Sequence, residues 1–329
     1  MTYQVKYDTI DGAYIHVNNA STRLLHTKKL IMFKIYPYKV GSQSARTLKA
    51  SLDAVILKTE NSRYRYRSNH IVINWGNSHR SERMADVPML NQPEAVAVAS
   101  NKLLTFQELH ENAVPIVDFT VEKNTAQGWI EEGATVFVRN KLTGHSGDGI
   151  DVVKPVEATD HEDRGMLESM IENLSNHGYD YLAEEVESEV GRLEDTEQVE
   201  VPEAPLYTKG IDNKGEYRVH VFNGEVILYQ KKSRKRDEDG EVETAEGEDA
   251  DVRNLESNWI YRTGSLNKLE RIEDLAIKAI EALGLDFGAV DIIMNQEGEV
   301  FVLEINSAPG LGNTDSVEAY TEAINDLTN

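Results

Sequence analysis

The stretch FGAVDIIMNQEGEVFVLEINSAPGL, residues 287–311, decides the fold of this chain. Two apolar segments rich in β-branched residues, AVDII and VFVLEIN, flank the polar, glycine-containing NQEGE, and this pattern predicts a β-hairpin. Residues two apart on a strand face the same side, so Glu304 and Asn306 share a face, and the partner strand can bring Asp291 opposite them. These oxygen-bearing side chains suit Mg²⁺; the alternative is a hairpin whose polar residues simply face solvent.

The spacing of these three residues resembles the metal-binding end of ATP-grasp enzymes. Glu304 follows Asp291 after thirteen residues, and Asn306 stands two further on. The resemblance implies an α/β (α+β) chain with the ATP-grasp fold, an N-terminal Rossmann-like pre-grasp domain and, in this sequence, acidic insertions. It also implies ATP and two Mg²⁺ ions as cofactors, with Asp291, Glu304 and Asn306 as the metal ligands.

Two upstream segments occur in the order that this resemblance implies for phosphate contacts. Segment 101–120 resembles the helix that carries a phosphate-contacting lysine, here Lys102, although an exposed lysine in a first helical turn is the alternative. Segment 134–153 joins an apolar strand, ending at Arg139 where the family commonly has lysine, to a glycine-rich loop; an ordinary hairpin is the alternative. The implied phosphate contacts are Lys102, Arg139, Gly144, Ser146, Gly147 and Gly149.

Segment 204–232 contains the part that resembles the nucleotide hinge of the family. Alternation in EYRVHVF and VILYQ predicts two strands that turn at Asn223 and Gly224, because an Asn-Gly pair is a strong hairpin signal. In the family the segment that matches YTKGI lies along adenine, and an acid beyond it meets the ribose. The implied nucleotide contacts are Thr208, Lys209, Ile211 and Glu216.

Basic residues on the same strands are candidates for catalysis. Arg218 alternates with Glu216 and resembles an arginine that several family members use on the substrate or the transferring phosphate; a cross-strand ion pair is the alternative. Lys231 and Lys232 end the next strand, where the family often has another phosphate-facing base. The pattern leaves the choice between them open, and we name Lys231 as the candidate.

A second arginine is a candidate for catalysis because the sequence departs from the family pattern at one position. In some members an arginine two residues before the metal-binding acid steadies the transition state, and here that residue is Ala289. Arg218 or Arg262 would then do this work, and Arg262 stands on a turn-like stretch before a predicted helix. The apolar faces of that helix are assigned to the core: Ile272, Leu275, Ala276, Ala279, Ile280 and Leu283.

The formal charge of −23 is concentrated in two stretches. Residues 156–204 carry sixteen Asp/Glu against two Lys/Arg, and residues 237–251 carry nine acids and no base. Both fall between ATP-grasp-like segments, so we interpret them as insertions, the first a small helical cap and the second a mobile loop. Local charge balance against KKSRKR and a surface for a protein partner are the alternatives for the second.

Three domains follow from this organisation. Residues 1–88 form the expected pre-grasp domain, residues 89–206 the lid with the 156–204 insertion, and residues 207–329 the C-terminal subdomain with the 237–251 loop. The first domain has fourteen Lys/Arg against six acids, and its strand, Gly-Ser loop and helix start predict an anion pocket or an ordinary βα turn. Its segments KVGSQSARTLKASL and VINWGNS, with others downstream, resemble ATP-grasp proteins encoded by bacteriophages.

Composition excludes several classes of protein. The 329 residues are 40% hydrophobic and contain no apolar run long enough to span a membrane. The absence of cysteine excludes disulfides, and nine scattered histidines argue against a zinc site. We expect a soluble protein in the cytoplasm, that of the host if a phage encodes it.

The resemblance implies an ATP-dependent ligase that joins a carboxylate to an amine or thiol. Such enzymes phosphorylate the carboxylate to an acyl phosphate and then release ADP and phosphate. The expected partners are ATP, an unidentified carboxylate and an amine, and a protein at the acidic insertions is a further candidate; neither a membrane nor nucleic acid is expected. The alternatives are a nucleotide-binding regulatory module without turnover and an acidic interaction protein that mimics nucleic acid.

Overall fold

The computed structural model describes residues 31–144, 149–155, 161–196, 199–236, 258–264 and 268–328. These residues form three β-sheets with helices packed against them, which confirms the predicted mixture of strands and helices. The loop residues Ser146 and Gly147 and the predicted mobile loop 237–251 lie outside the described residues. The domain boundaries drawn from the sequence stay a prediction.

The first sheet is parallel, with strands in the order β2-β1-β3. Its strands are β1 (Met32–Pro37), β2 (Val55–Ile56) and β3 (His70–Trp75). Helix α1 (Gln43–Ser51) joins β1 to β2 and begins after Ser42, whose hydroxyl accepts a hydrogen bond from the Ala45 amide at 3.3 Å. A 3₁₀ turn (Glu82–Met84) and helices α2 (Pro93–Ser100) and α3 (Lys102–Glu111) lead to the second sheet.

The second sheet is antiparallel, in the order β4-β7-β5-β6, and contains the strands of the segment predicted to be the lid together with β7. Its elements are β4 (Phe119–Thr120), α4 (Lys123–Glu131), β5 (Val136–Arg139), β6 (Ile150–Val153) and β7 (Leu206–Lys209). Between β6 and β7 the first acidic insertion forms two helices that pack against each other, α5 (His161–Asn176) and α6 (Asp180–Thr196). The helical pattern predicted for this insertion is therefore present.

The third sheet is antiparallel, in the order β10-β9-β8-β11-β12. Its elements are β8 (Asn213–Phe222), β9 (Glu225–Arg234), β10 (Trp259–Arg262), α7 (Glu270–Ala282), β11 (Phe287–Asn295) and β12 (Val300–Asn306). Asn223 and Gly224 both have positive φ, 48° and 78°, as the predicted two-residue turn requires. The β11–β12 hairpin is also present; Arg262, by contrast, ends a strand and is not on a turn, because residues 259–262 pair with β9.

One face of the third sheet carries the core and the other carries polar groups. The residues of α7 that periodicity assigned to the core are all buried and pack on strand residues that include Val219, Val290 and Ile292. Alternation along β8, β9 and β11 then directs the intervening residues to the opposite face. The second and third sheets meet on this face around Phe106, Leu206 and Ile293.

The N-terminal elements are fixed to the third sheet by aromatic packing and by one buried asparagine. Trp75 stacks on Phe287 at 5.3 Å between ring centroids and meets Tyr320 of helix α8 (Thr314–Asp326) edge-on at 5.2 Å. The Asn91 side chain accepts hydrogen bonds from the amides of Asp286 and Phe287. These contacts hold the start of β11, and hence Asp291, relative to the first sheet.

Candidate active site

Asp291 and Glu304 lie directly opposite each other on β11 and β12, as the sequence predicted. Asn306, two residues beyond Glu304, lies on the same side of β12. A bulge follows Asp291 in the register, and the side chains of Asp291 and Glu304 are 14% and 32% exposed. Two carboxylates and an amide oxygen therefore share one accessible face of the sheet.

Arg218 is the group in closest contact with Asp291. Its Nε and Nη2 donate hydrogen bonds of 2.6 and 2.7 Å to the two carboxylate oxygens, because Arg218 on β8 is in register with Asp291 on β11. Burial alone would raise the pKa of Asp291, but the guanidinium outweighs it and holds that pKa below its ordinary value. Burial opposes the charge of Arg218 as well, yet the Asp291 carboxylate raises the arginine pKa, so the pair stays ionised.

Two cations on other elements lie near Glu304, and one of them, Lys102, contacts it. Lys102, the first residue of α3, places Nζ 3.3 Å from the Glu304 carboxylate. Arg139, the last residue of β5, is only 9% exposed; burial lowers its pKa and the charge of Glu304 opposes that shift. Its Nε makes no hydrogen bond within the described part of the chain. The helix start and the lid strand thus bring positive charge to the carboxylates.

The base of the glycine-rich loop is closed by backbone contacts. The Asn140 amide donates to the Gly149 carbonyl at 2.8 Å, and the Lys102 amide donates to the Leu142 carbonyl at 2.8 Å. Gly149 has φ +76°, and a Cβ there would lie 3.1 Å from the Lys141 side chain. Gly144 precedes the undescribed part of the loop, so the loop leaves and rejoins the lid beside Lys102.

A pocket of about 160 Å³ lies at the predicted hinge, between the lid and the third sheet. Gly210 is tightly enclosed, since a Cβ would lie 3.0 Å from the Thr135 carbonyl oxygen. Thr208 is buried beside the pocket on β7. The pocket-lining residues are Ile116, Val117, Asp118, Lys209, Gly210, Ile211, Asn295 and Phe301.

Lys209 lines this pocket, but its side-chain ammonium group is paired outside it. Its amide donates to the Asp118 carbonyl at 2.9 Å. Its Nζ pairs with Glu132 at 3.1 Å and lies 6.0 Å from the Trp129 ring centroid on helix α4. The Lys209 ammonium is therefore held on the α4 side.

Glu216 is held on the Asp291 face by two partners. Its carboxylate pairs with Lys232 Nζ at 2.7 Å and accepts a hydrogen bond from the Asn213 side chain at 2.7 Å. Lys232 also lies 5.6 Å from the Tyr261 ring centroid. Glu216 and Lys232 therefore extend the row of charges away from Asp291.

The structure does not bring Lys231 or Arg262 to this cluster, so both predictions are corrected. Lys231 is in register with Tyr217 on the α7 side of the sheet, with Nζ 5.8 Å from that ring. Arg262 pairs with Lys231 in the ladder, so it takes the same side, and its Nη2 reaches the Arg234 carbonyl at 3.5 Å. Neighbouring residues on a strand face opposite sides, and the register selects Lys232.

Sequence reasoning missed the group behind Arg218. His220 is buried, with Nδ1 3.3 Å from the Tyr320 hydroxyl and Nε2 3.2 Å from the Gln230 side-chain oxygen. Burial, with the nearby arginine charge, lowers its pKa to about 4, so it is neutral at physiological pH. The alternation Glu216, Arg218, His220 could have placed it on this face.

Ala289 lies between this group and the metal-site candidates. It is fully buried and is in register with His220 on one side and Asn306 on the other. A long side chain at 289 would have to displace one of them. Alanine supplies no charge at this position, and Arg218 is the arginine that contacts Asp291.

The described residues contain no further group of side chains that is typical of a metal centre. No three His, Cys, Asp or Glu side chains come together there as a metal cluster. Asp291 and Glu304, with the Asn306 amide, still suit Mg²⁺, which binds one or two carboxylates and takes further oxygens from water and phosphates. None of the described helices has the length and apolar character needed to cross a membrane.

Comparison with known proteins bears on the same elements. Residues 257–324, which include β10, α7, β11 and β12, match the family model described as D-ala D-ala ligase C-terminus. The chain is similar to a probable alpha-L-glutamate ligase of Mannheimia succiniciproducens, with 24% identity over 244 residues that cover 73% of this chain and 67% of that protein. It is also similar to the tetrahydromethanopterin:alpha-L-glutamate ligase of Methanocaldococcus jannaschii, with 27% identity over 68% of this chain and 63% of that protein.

Solved structures share the whole fold at low identity. A structure of the ATP-grasp ligase PsnB, complexed with a phosphomimetic variant of its minimal precursor, Mg and ADP, aligns with a TM-score of 0.54 and 13% identity over 91% of this chain and 99% of that one. The D-alanine–D-alanine ligase from Bacillus anthracis aligns with a TM-score of 0.52 and 13% identity over 91% and 96% of the two chains. These alignments confirm the predicted fold.

Proposed function

We propose that this chain, a member of the ATP-grasp superfamily, is an ATP-dependent ligase that joins a carboxylate to an amine through an acyl phosphate. One observation carries the proposal: Asp291 and Glu304 lie in register, with Arg218, Lys102 and Arg139 converging on them from three different elements. Carboxylates that hold a metal, surrounded by cations that hold phosphate, form the arrangement that phosphoryl transfer needs.

Asp291, Glu304 and Asn306 would hold Mg²⁺, and we propose two ions. A metal held by these residues would supply positive charge that offsets the charge of the phosphates during phosphoryl transfer. The oxygen-only donor set supports this assignment, since Mg²⁺ is a hard cation. Arg218 already contacts Asp291, and Lys102 already contacts Glu304. Each carboxylate would therefore bind the metal and its basic partner at the same time.

The nucleotide would lie between the lid and the third sheet. Adenine would occupy the hinge pocket beside Lys209, Gly210 and Ile211, whose backbone groups supply its polar edge. Lys102 and Arg139 would grip the phosphates, together with the loop stem at Gly144 and Gly149 and, by resemblance, with Ser146 and Gly147. Thr208 would pack beside the base, and Glu216 would accept from the ribose hydroxyls.

Arg218 would act on the reacting groups. Asp291 occupies its Nε and Nη2, and Nη1 makes no hydrogen bond within the described ranges. That nitrogen is available for the substrate carboxylate or for the phosphoryl group in transfer, where an aimed donor contributes about 10²–10³ in rate. Lys232, held by Glu216, takes the phosphate-facing role that the sequence had given to Lys231.

The carboxylate would enter from the first sheet. The loop after β12 packs against it: the Leu311 amide donates to the Ser44 hydroxyl at 3.2 Å, and a Cβ on Gly76 would lie 2.6 Å from Ala308. These contacts place Ser44 and Gly76 of the predicted N-terminal domain beside the loop that follows Asn306. An anionic substrate drawn by the positive charge of that domain, with an amine as the second substrate, is consistent with relatives that are named as glutamate ligases.

The competing proposal is a nucleotide-binding module that has lost turnover. It was suggested by Arg139 in place of lysine and by Ala289 in place of arginine. Arg139 keeps a positive charge beside Glu304, and Arg218 supplies an arginine at Asp291 from the neighbouring strand. Both observations favour a working ligase.

The test is ADP release from Mg-ATP in the presence of pools of carboxylates and amines. We expect release that requires one carboxylate and one amine together and that is abolished in Asp291→Asn, which removes a metal-binding charge with little change in side-chain size. The Asp291→Asn variant also measures any contaminating ATPase. Tight ATP binding without release from any pool would favour the module without turnover.

A further inference from the structure

The guanidinium of Arg218 lies between a carboxylate and an aromatic ring. On one side it makes the two hydrogen bonds to Asp291, and Tyr261 places its ring centroid 4.0 Å from the Arg218 Cζ. Tyr261 is on β10, two strands away, and its ring reaches over β9 because it shares a face with Lys232. At this distance the ring and the cation attract each other.

The neighbouring carboxylates on this face are paired with other cations. Glu216 is bound by Lys232, and Glu304 is bound by Lys102. Arg218 is therefore fixed by Asp291 at its Nε edge and by Tyr261 over its Cζ. A long side chain that is held at two points loses its freedom before the substrate arrives, and its remaining nitrogen, Nη1, keeps one direction.

Tyr261 itself is unsuited to proton transfer. Burial is the main cause that raises the pKa of its hydroxyl above the ordinary value, and the charge of Asp291 raises it further. The hydroxyl therefore stays protonated near neutral pH, and the ring is the part of this residue that contacts the site.

We propose that Tyr261 is a positioning residue whose ring holds Arg218 against Asp291 with Nη1 directed at the transferring phosphoryl group. This inference rests on the proposed function. It assigns a role to a residue of an edge strand that carries neither a metal-binding nor a phosphate-binding group. The role belongs to the ring, so phenylalanine should preserve it and an aliphatic side chain should not.

The test uses a phosphoryl-transfer mimic, so it needs no knowledge of the substrate. The dissociation constant of ADP is measured with Mg²⁺, with and without aluminium fluoride, which occupies the place of the phosphoryl group in flight. Wild type should bind ADP more tightly with aluminium fluoride. In Tyr261→Leu, the factor by which aluminium fluoride tightens ADP binding should be about tenfold smaller than in wild type, the size expected for a partly buried cation–ring contact. The dissociation constant of ADP alone should change little.

Three further variants isolate the ring contact. Tyr261→Phe should retain the gain. Trp259→Leu is the matched control, because Trp259 is on the same face of β10 but packs over Arg234, with its ring 4.7 Å from Cζ; it should also retain the gain. In an Arg218→Ala background, the additional change Tyr261→Leu should have no further effect.

The outcomes distinguish failure of the positioning role of Tyr261 from failure of the proposed ligase function. Retention of the gain in Tyr261→Leu, or equal loss in Trp259→Leu, would overturn the positioning role and leave the proposed function standing. A wild type that gains nothing from aluminium fluoride and releases no ADP from any substrate pool would overturn both. Circular dichroism and thermal unfolding of each variant separate misfolding from loss of positioning.

Discussion

Arg218→Ala should destabilise the protein mainly through the carboxylate that it leaves behind. The pair is joined by hydrogen bonds of 2.6 and 2.7 Å, and its side chains are 23% and 14% exposed. Without the guanidinium, Asp291 keeps at neutral pH only the weaker influence of Lys232 against its burial. Breaking a buried pair costs roughly 3–5 kcal/mol, and because this one borders the cleft we expect about 3 kcal/mol of the free energy of unfolding at neutral pH.

The same change should reverse the pH dependence that Asp291 contributes. In wild type the pKa of Asp291 is below the ordinary value of 3.8, so the pair stabilises the protein above that value and is lost as the pH falls through the folded-state pKa. In Arg218→Ala burial would raise the pKa above the unfolded value. Protonation then relieves the buried charge, and the deficit relative to wild type should shrink as the pH falls from 7 towards 4.

Urea unfolding followed by circular dichroism at pH 7, 5.5 and 4.5 measures this deficit. Lys123→Ala is the control, because it removes an exposed pair with Glu200 and should leave the unfolding free energy unchanged within error. The double variant Arg218→Ala/Asp291→Asn should recover part of the loss, since no charge is left unpaired. A deficit that is the same at all three pH values, or a double variant no more stable than Arg218→Ala, would refute the reasoning.

Three shorter predictions follow from the site. Lys232→Ala should lower ADP release by about 10²-fold or more while Lys231→Ala leaves it near wild type, as steady-state rates would show, because only Lys232 faces the cleft. Burial lowers the pKa of His220 to about 4, so the unfolded chain gains a proton there first as the pH falls below 6.5. Wild type should therefore lose unfolding free energy between pH 6.5 and 4.5, as measured by urea unfolding. His220→Asn lacks this titration, so its loss over the same pH range should be smaller by roughly 2 kcal/mol. Gly210→Ala should weaken ATP binding in calorimetry, because the new Cβ would press on the Thr135 carbonyl.

Most of the elements could be predicted from the sequence because their signals are local. Alternation marked β8 and β9, apolar segments rich in β-branched residues marked β11 and β12, and helical periodicity marked α7 together with its buried residues. The Asn223–Gly224 turn was specified by two residues that tolerate positive φ. Arg262 was placed wrongly, since a short edge strand with one polar-flanked Trp-Ile-Tyr segment has too few residues to show alternation.

The site was only partly predictable, for the same physical reason. The Asp291–Glu304 pairing followed from one hairpin, whose turn length sets the register. The contact between Lys102 and Glu304 joins residues two hundred positions apart, and no local pattern encodes such a distance. The resemblance to ATP-grasp enzymes implied a phosphate role for Lys102 and a metal role for Glu304, but not the contact that the structure shows between them.

The sequence by itself determined that Asp291, Glu304 and Asn306 lie on one side of a hairpin, and that Glu216, Arg218 and His220 share a face of β8, because side chains alternate along any strand. Only the tertiary structure decided how those faces meet. The register of β9 against β8 directs Lys232 towards the cleft and Lys231 away from it, and the packing of the lid brings Arg139 to Glu304. Register and sheet packing depend on the sum of many distant contacts, so no single segment contains them.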